Sequence, residues 1–150
     1  MRKLFIYYSR TGNGDLVADF LSTYGYERYR VTPKHMLPEN LFWSMMIGGF
    51  KAGINMKDRL TEWKINPNDY DEIIFGSPIW NGKISSPMNT VLKKLRDYKG
   101  KIRFIFYSGS GEGKKATIKI SKLYADTRSI ILKEPKTHQY EFDRLREFLS

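Results

Sequence analysis

Residues 71–83 read DEIIFGSPIWNGK. A short run of Ile and Phe stops at Gly-Ser-Pro, and a tryptophan follows where a loop tip is normally polar. Three apolar residues bounded by acids on one side and turn formers on the other predict a strand and then an irregular loop. In that loop Pro78 stiffens the chain, while Asn81 and Gly82 tolerate unusual backbone angles. Four other stretches share this composition and punctuation: KLFIYYS (3–9), YERYRVT (26–32), KIRFIFYS (101–108) and RSIILK (128–133). Together they give five predicted strands.

The segments between the strands repeat at helical spacing. Leu16, Phe20 and Leu21 form one set, Val91, Leu92 and Leu95 a second, and Ala116, Ile120, Leu123 and Tyr124 a third. ATIKIS (116–121) also alternates as a strand would, and the helix is preferred. Pro38 opens a further helix through Trp43, Met46 and Ile47, which Gly48, Gly49 and Gly53 are expected to loosen near its end, and YEFDRLREFL (140–149) closes the chain. The order is βαβαβαβαβα. Strands alternating with helices need right-handed crossovers, so the fold class is α/β, a three-layer doubly wound sheet of five parallel strands. No repeat, linker or low-complexity tract divides the chain, so one domain over 1–150 is expected.

The sequence has 150 residues, of which 41% are hydrophobic, enough for one sizeable core. Cysteine is absent and the two histidines, His35 and His138, are far apart, so no thiol nucleophile, thiolate metal site or disulfide is available. No apolar run approaches the length of about 20 residues that spans a bilayer. The opening MRKLFIYYS lacks a secretory core and cleavage site. A cytoplasmic protein with no membrane partner is expected. The charge is unusual: 26 Lys and Arg against 16 Asp and Glu give +10. Such a chain attracts polyanions or acidic partners. Lys93, Lys94 and Arg96, and Lys114, Lys115, Lys119 and Lys122, are spaced like the wet faces of helices, so a nucleic-acid partner is not expected.

In a sheet of this kind ligands bind at the carboxyl ends of the strands, beside the reversal of strand order. The loops after predicted strands one, three and four are therefore the candidate site. The first is SRTGNGD (9–15), with hydroxyls on Ser9 and Thr11 and glycines at 12 and 14 leading into a helix. Hydroxyls, approachable backbone and the free N–H groups of a helix start make an anion nest. The loop lacks the GxGxxG fingerprint, and SGSGEGKK in the loop after strand four fails the P-loop pattern. Trp80 suits an aromatic platform for a flat ring system. Ser108, Gly109, Ser110 and Gly111 form a third loop of small residues. One ligand with a phosphate tail and a planar head would use all three. Apart from Glu112, these loops hold no candidate general acid or nucleophile, so no catalytic residue is assigned.

At these residues the sequence resembles the flavodoxins, which bind flavin mononucleotide (FMN). SRTGN with Gly14 and Asp15 is similar to the family's phosphate loop. DYDEIIFGSPIWNGKISSPMNTVL (69–92) resembles its third strand and flavin loop, down to the Pro-Met pair opening the next helix. FYSGSGEG (106–113) is similar to the small-residue loop along the other edge of the flavin. The resemblance implies strand order 2-1-3-4-5 and FMN as cofactor. It places Ser9, Arg10, Thr11, Gly12, Asn13 and Gly14 at the phosphate, and Ser77, Pro78, Ile79, Trp80, Asn81 and Gly82 at the isoalloxazine. Ser108 to Gly111 flank the ring. It implies an electron-transfer protein shuttling between redox partners, with an FMN-dependent NAD(P)H:quinone oxidoreductase or a flavin-free binding module as alternatives. Three departures stand out. Gly14 occupies a position where the family usually has Thr or Ser, and Gly14→Thr is expected to be tolerated. The loop after strand four lacks the usual aromatic. The chain is basic where flavodoxin electron carriers are usually acidic, so a redox partner with an acidic docking surface is expected, steered by Arg10, Lys83, Lys114 and Lys115.

Overall fold

The computed structural model describes residues 1–54 and 56–150. Its strands are β1 (Lys3–Tyr7), β2 (Tyr26–Arg30), β3 (Glu72–Trp80), β4 (Lys83–Ile84), β5 (Lys101–Ser108) and β6 (Arg128–Lys133). Its α-helices are α1 (Asn13–Ser22), α2 (Leu41–Gly53), α3 (Ser86–Lys94), α4 (Lys114–Leu123) and α5 (Glu141–Leu149). The main path of the sheet runs β2-β1-β3-β5-β6, all parallel. Setting aside the two-residue β4, this is the order 2-1-3-4-5. The fold is α/β and flavodoxin-like.

Alternate residues of each central strand enter opposite layers, because strand side chains have a period of two. Leu4, Ile6, Ile73, Phe75, Phe104 and Phe106 pack with Val91 of α3, Leu95 just past it, and Ala116 and Ile120 of α4. Phe5, Tyr7, Ile74, Ile105 and Tyr107 pack with Val17 and Leu21 of α1 and Leu145 and Phe148 of α5. Ala116 and Ile120, four apart and both buried, settle the ambiguous ATIKIS as helix.

Two local expectations are revised. Residues 77–83 are not an irregular loop. The strand continues through Trp80 and folds back into β4, pairing Ile79 with Ile84 and Trp80 with Lys83. Asn81 and Gly82 form the tight turn, with φ of 52° and 73°; a two-residue hairpin turn of this hand needs both positive. The second helix begins at Leu41 rather than Pro38, because the Asn40 side chain caps it by accepting from Trp43 N at 3.2 Å. Its glycines do not loosen its end, since the helix runs through Gly53. Gly48 instead lets the sheet approach: a Cβ there would lie 3.2 Å from the Trp80 indole.

The amino end of the sheet is closed by a buried polar cluster. Arg103 donates to Glu72 Oε1 through Nη2 at 2.5 Å and Nε at 2.9 Å, and through Nη1 to Phe148 O at 3.0 Å. Tyr26 donates to the same carboxylate at 2.8 Å. Burial works against the Glu72 charge, but the Tyr26 and Arg103 hydrogen bonds outweigh it and hold the carboxyl below its ordinary range. Burial, and then the bond to Glu72, push the Tyr26 phenol up to about 12.

Candidate functional site

The carboxyl ends of β1, β3 and β5 open into a cleft of about 450 Å³. Arg10, Thr11 and Asn13 line it from the loop after β1, Pro78 to Asn81 from the end of β3, and Ser108 and Gly109 from the end of β5. A second cavity of about 880 Å³ shares Ile79, Asn81, Ser108 and Gly109 with the first. It continues over Gly82, Ser110, Lys114, Lys115, Ile118 and Ile131. Segments about 70 and 100 residues apart in sequence thus meet at one place, the end of the sheet where the order reverses.

The loop after β1 is wound tightly around Ser9. Its buried hydroxyl accepts from Gly12 N at 3.1 Å and Gly14 N at 3.0 Å, so it faces the loop's own backbone rather than the cleft. Gly12 holds φ at 99° with open space where a side chain would begin. Gly14 is fixed by a close approach instead. A Cβ there would lie 2.5 Å from the Tyr107 hydroxyl and 2.9 Å from both Ser9 Cβ and Tyr7. This overturns the expectation that Gly14→Thr is tolerated. The volume a threonine would need is filled from β5 by Tyr107, which is fully buried and donates to Tyr8 O. Its burial pushes the phenol far above its ordinary range.

The ring-binding candidates divide. Trp80 is half-buried, with the Tyr8 ring edge-on at a centroid distance of 5.8 Å, α2 against it at Gly48, and the cleft beside it. Ser77 is fully buried and lines neither cavity; its hydroxyl is paired with Ser85 Oγ at 2.9 Å and accepts from Ser85 N at 3.2 Å, pinning the hairpin from below. Gly82 and Ser110 belong to the larger cavity. Gly111, at φ 79°, lies against Lys133 and lines neither.

Three groups not foreseen also shape the site. Ser44, Met45 and Gly49 of α2 form a wall of the cleft. Tyr107 lies at its base. Glu134, just past β6 at φ 40°, accepts from Asn13 Nδ2 at 2.5 Å and brings its carboxylate to within 3.4 Å of where a Gly109 Cβ would be. Lys136 N donates to Asn13 Oδ1 at 2.9 Å and Lys136 Nζ to Thr11 O at 3.2 Å, so the segment after β6 braces the loop after β1. Nothing in EPK (134–136) marks it; only the turn of the chain past β6 brings it there.

Among the described residues, three buried side-chain polar atoms have no hydrogen-bond partner: Tyr8 OH, Arg10 Nε and Ser108 Oγ. Arg10 and Ser108 line the cleft, and Tyr8 lies beneath Trp80. Buried polar atoms are rarely left unpaired. Their concentration here makes this end of the sheet the candidate place for a polar ligand.

No protein-family model matches the chain, and no curated protein matches it in sequence. Solved structures do resemble it. The flavoprotein of Lactobacillus acidophilus in complex with FMN is 20% identical, covering 94% of this chain and 98% of its own, with a TM-score of 0.72. Oxidised flavodoxin 1 from Bacillus cereus is 16% identical, with coverage of 99% and 97% and a TM-score of 0.55. The flavodoxin of Fusobacterium nucleatum bound to FMN is 13% identical, with coverage of 99% and 95% and a TM-score of 0.53. At these identities the likeness is one of fold.

Proposed function

We propose that this protein binds one FMN noncovalently in the cleft at the carboxyl end of the sheet and carries electrons between redox partners in the cytoplasm. The observation that carries the reading is the meeting of the three loops around a cleft bordered by the unpartnered Arg10 Nε and Ser108 Oγ. The flavin supplies the electron chemistry. The protein binds, orients and shields.

In this reading Ser9 to Gly14 hold the phosphate. Thr11 offers its hydroxyl and Arg10 its guanidinium, while Ser9 keeps the nest wound. Pro78 to Gly82 meet the isoalloxazine, with Trp80 as the aromatic surface and Ser77 fixing the hairpin that presents it. Ser108 Oγ, free of protein partners, takes a polar edge of the ring, and Gly109 to Gly111 let the ring lie close. The likeness to structures with FMN bound supports the choice of cofactor. Among the described residues lining the cleft, the Glu134 carboxylate is the one that opposes an anion, so Glu134→Gln should tighten FMN.

Lys114 and Lys115 rim the larger cavity, the place for an acidic redox partner to dock. That cavity also favours the second reading, an NAD(P)H:quinone-type oxidoreductase, since it leaves room for a second planar ligand beside the first. A fold of this kind serves several functions, so the test is direct. An absorbance spectrum of the purified protein, before and after adding FMN, should show bands of bound oxidised flavin. A colourless protein that cannot be reconstituted contradicts the reading, and rapid NADPH oxidation with a quinone would favour the oxidoreductase.

A further inference from the structure

Helix α2 meets the rest of the molecule along a narrow seam. Ser44, Gly48 and Ala52, spaced four apart and therefore in one row, are its buried positions among the described residues. The wider face turns outward and is apolar: Phe42, Trp43, Met45, Met46 and Phe50 are each more than half exposed, as is Ile54 just past the helix. Single exposed apolar residues are ordinary, but a contiguous set of this size marks an interaction surface. The one charged residue within α2, Lys51, is taken by Asp58 at 2.8 Å.

A cationic cluster gathers at the carboxyl end of the same helix. Lys83 reaches back to donate to Gly53 O at 2.8 Å, Lys57 follows the helix, and Lys119 donates to Asn89 Oδ1 at 3.0 Å. Among the described residues none of these three lysines forms an ion pair. Partial burial, and then the charges of Lys57 and Lys83, hold the Lys119 ammonium below its ordinary value. Three like charges without a counter-ion repel one another and attract an external anion.

We infer that α2 anchors the protein on an anionic membrane surface, its apolar face entering the boundary between headgroups and acyl chains while Lys57, Lys83 and Lys119 meet lipid phosphates. Two features favour lipid over protein. Protein interfaces carry about one hydrogen bond per 100–200 Å², yet of the exposed α2 side chains only Trp43 has a hydrogen-bonding group. A second copy would also bring two chains of charge +10 together at their lysine clusters. An anionic membrane as partner departs from the expectation of no membrane partner, which rests on the lack of a spanning segment; no helix among the described residues is long and apolar enough to cross a membrane. An anchor of this kind lies in the membrane plane. The inference stands whether or not the cleft holds flavin; if it does, Met45 and Gly49 put the cleft beside the bilayer.

The test is co-sedimentation of the purified protein at low salt with vesicles of phosphatidylglycerol and phosphatidylcholine, and with phosphatidylcholine alone. Binding to the anionic vesicles is expected, at least tenfold weaker to the zwitterionic ones. Phe50→Ser should weaken partitioning by about tenfold or more, and Lys57→Glu by about fivefold or more. Both residues are exposed, so circular dichroism should not change. Absence of vesicle binding overturns the inference, as does equal binding to both vesicle types that Lys57→Glu leaves unmoved. A concentration-dependent dimer that Phe50→Ser dissociates, or capture of an acidic protein without vesicle binding, would overturn it in favour of a protein partner.

Discussion

The two ends of the sheet handle buried polar groups in opposite ways. At the amino end, Glu72, Arg103 and Tyr26 are buried and bonded to one another, and Arg103 reaches on to the Phe148 carbonyl. At the carboxyl end, Tyr8 OH, Arg10 Nε and Ser108 Oγ are buried and bonded to nothing in the protein. The same strands run through both ends, so the difference is not one of scaffold. It separates the part of the molecule whose buried polar groups are paired within the protein from the part where the proposed ligand would supply the partners. Substitutions at the first end should act on stability and leave ligand binding alone, and removal of an unpaired group at the second should do the reverse.

The largest effect is expected at the amino end. Arg103→Leu leaves the Glu72 carboxylate buried without its cation, which costs about 3–5 kcal/mol. Denaturant unfolding should read that loss while FMN affinity, measured where the variant is folded, stays unchanged. In the wild type the Glu72 carboxyl is held low, so its contribution is complete above the unfolded carboxylate pKa of about 4.3. It should be lost as the pH falls through the lower, folded value.

The next effect lies at the carboxyl end but acts on both stability and binding. Gly14→Thr overpacks the contact with Tyr107 at a cost of about 1–3 kcal/mol, and it should weaken FMN as the loop is forced outward. Adding Tyr107→Phe removes the hydroxyl that a Cβ would meet at 2.5 Å and should recover part of both losses. If the two changes are simply additive, Tyr107 does not set the loop. Trp80→Ala should lower flavin affinity by about 0.5–1.5 kcal/mol beyond the lost area and restore fluorescence that stacking quenches. It should also cost stability, since Trp80 packs on Gly48. Wild-type quenching in the variant would make Trp80 a packing residue only.

Ser108→Ala draws the comparison most sharply. Its hydroxyl has no protein partner, so removal should leave the apoprotein as stable or more so, while FMN affinity falls by about 0.5–1.5 kcal/mol, one hydrogen bond. The smallest effect belongs to Lys114→Glu with Lys115→Glu at the rim. Exposed charges beyond about 8 Å are screened at physiological salt, so folding should not change. Electron transfer to an acidic partner should slow and lose its dependence on ionic strength.

How legible each end was in the sequence follows from the range of the forces involved. The strands are short runs of Ile, Phe and Tyr between turn formers, a local pattern, and the three loops were found from their own residues. What lay outside local reach was contact between distant segments. Tyr107 filling the place of a side chain at Gly14, Glu134 bonding Asn13, and Gly48 admitting Trp80 each join residues more than 30 positions apart. The hairpin after Trp80 was hidden because Asn-Gly reads equally well as a loop. In α2 the glycines read as helix breakers by propensity, whereas close approach of Trp80 to Gly48 and of Asn81 to Gly53 accounts for two of them.

The most direct measurement is a fluorescence titration of the apoprotein with FMN and, separately, with riboflavin, which has the same ring but no phosphate. FMN should bind saturably with quenching of its emission, and riboflavin should bind markedly more weakly, because the loop from Ser9 to Gly14 contributes through the phosphate. Equal affinity for the two would contradict the phosphate assignment. No binding of either would mean that the unpaired atoms at the carboxyl end serve another ligand, and the central claim would fall.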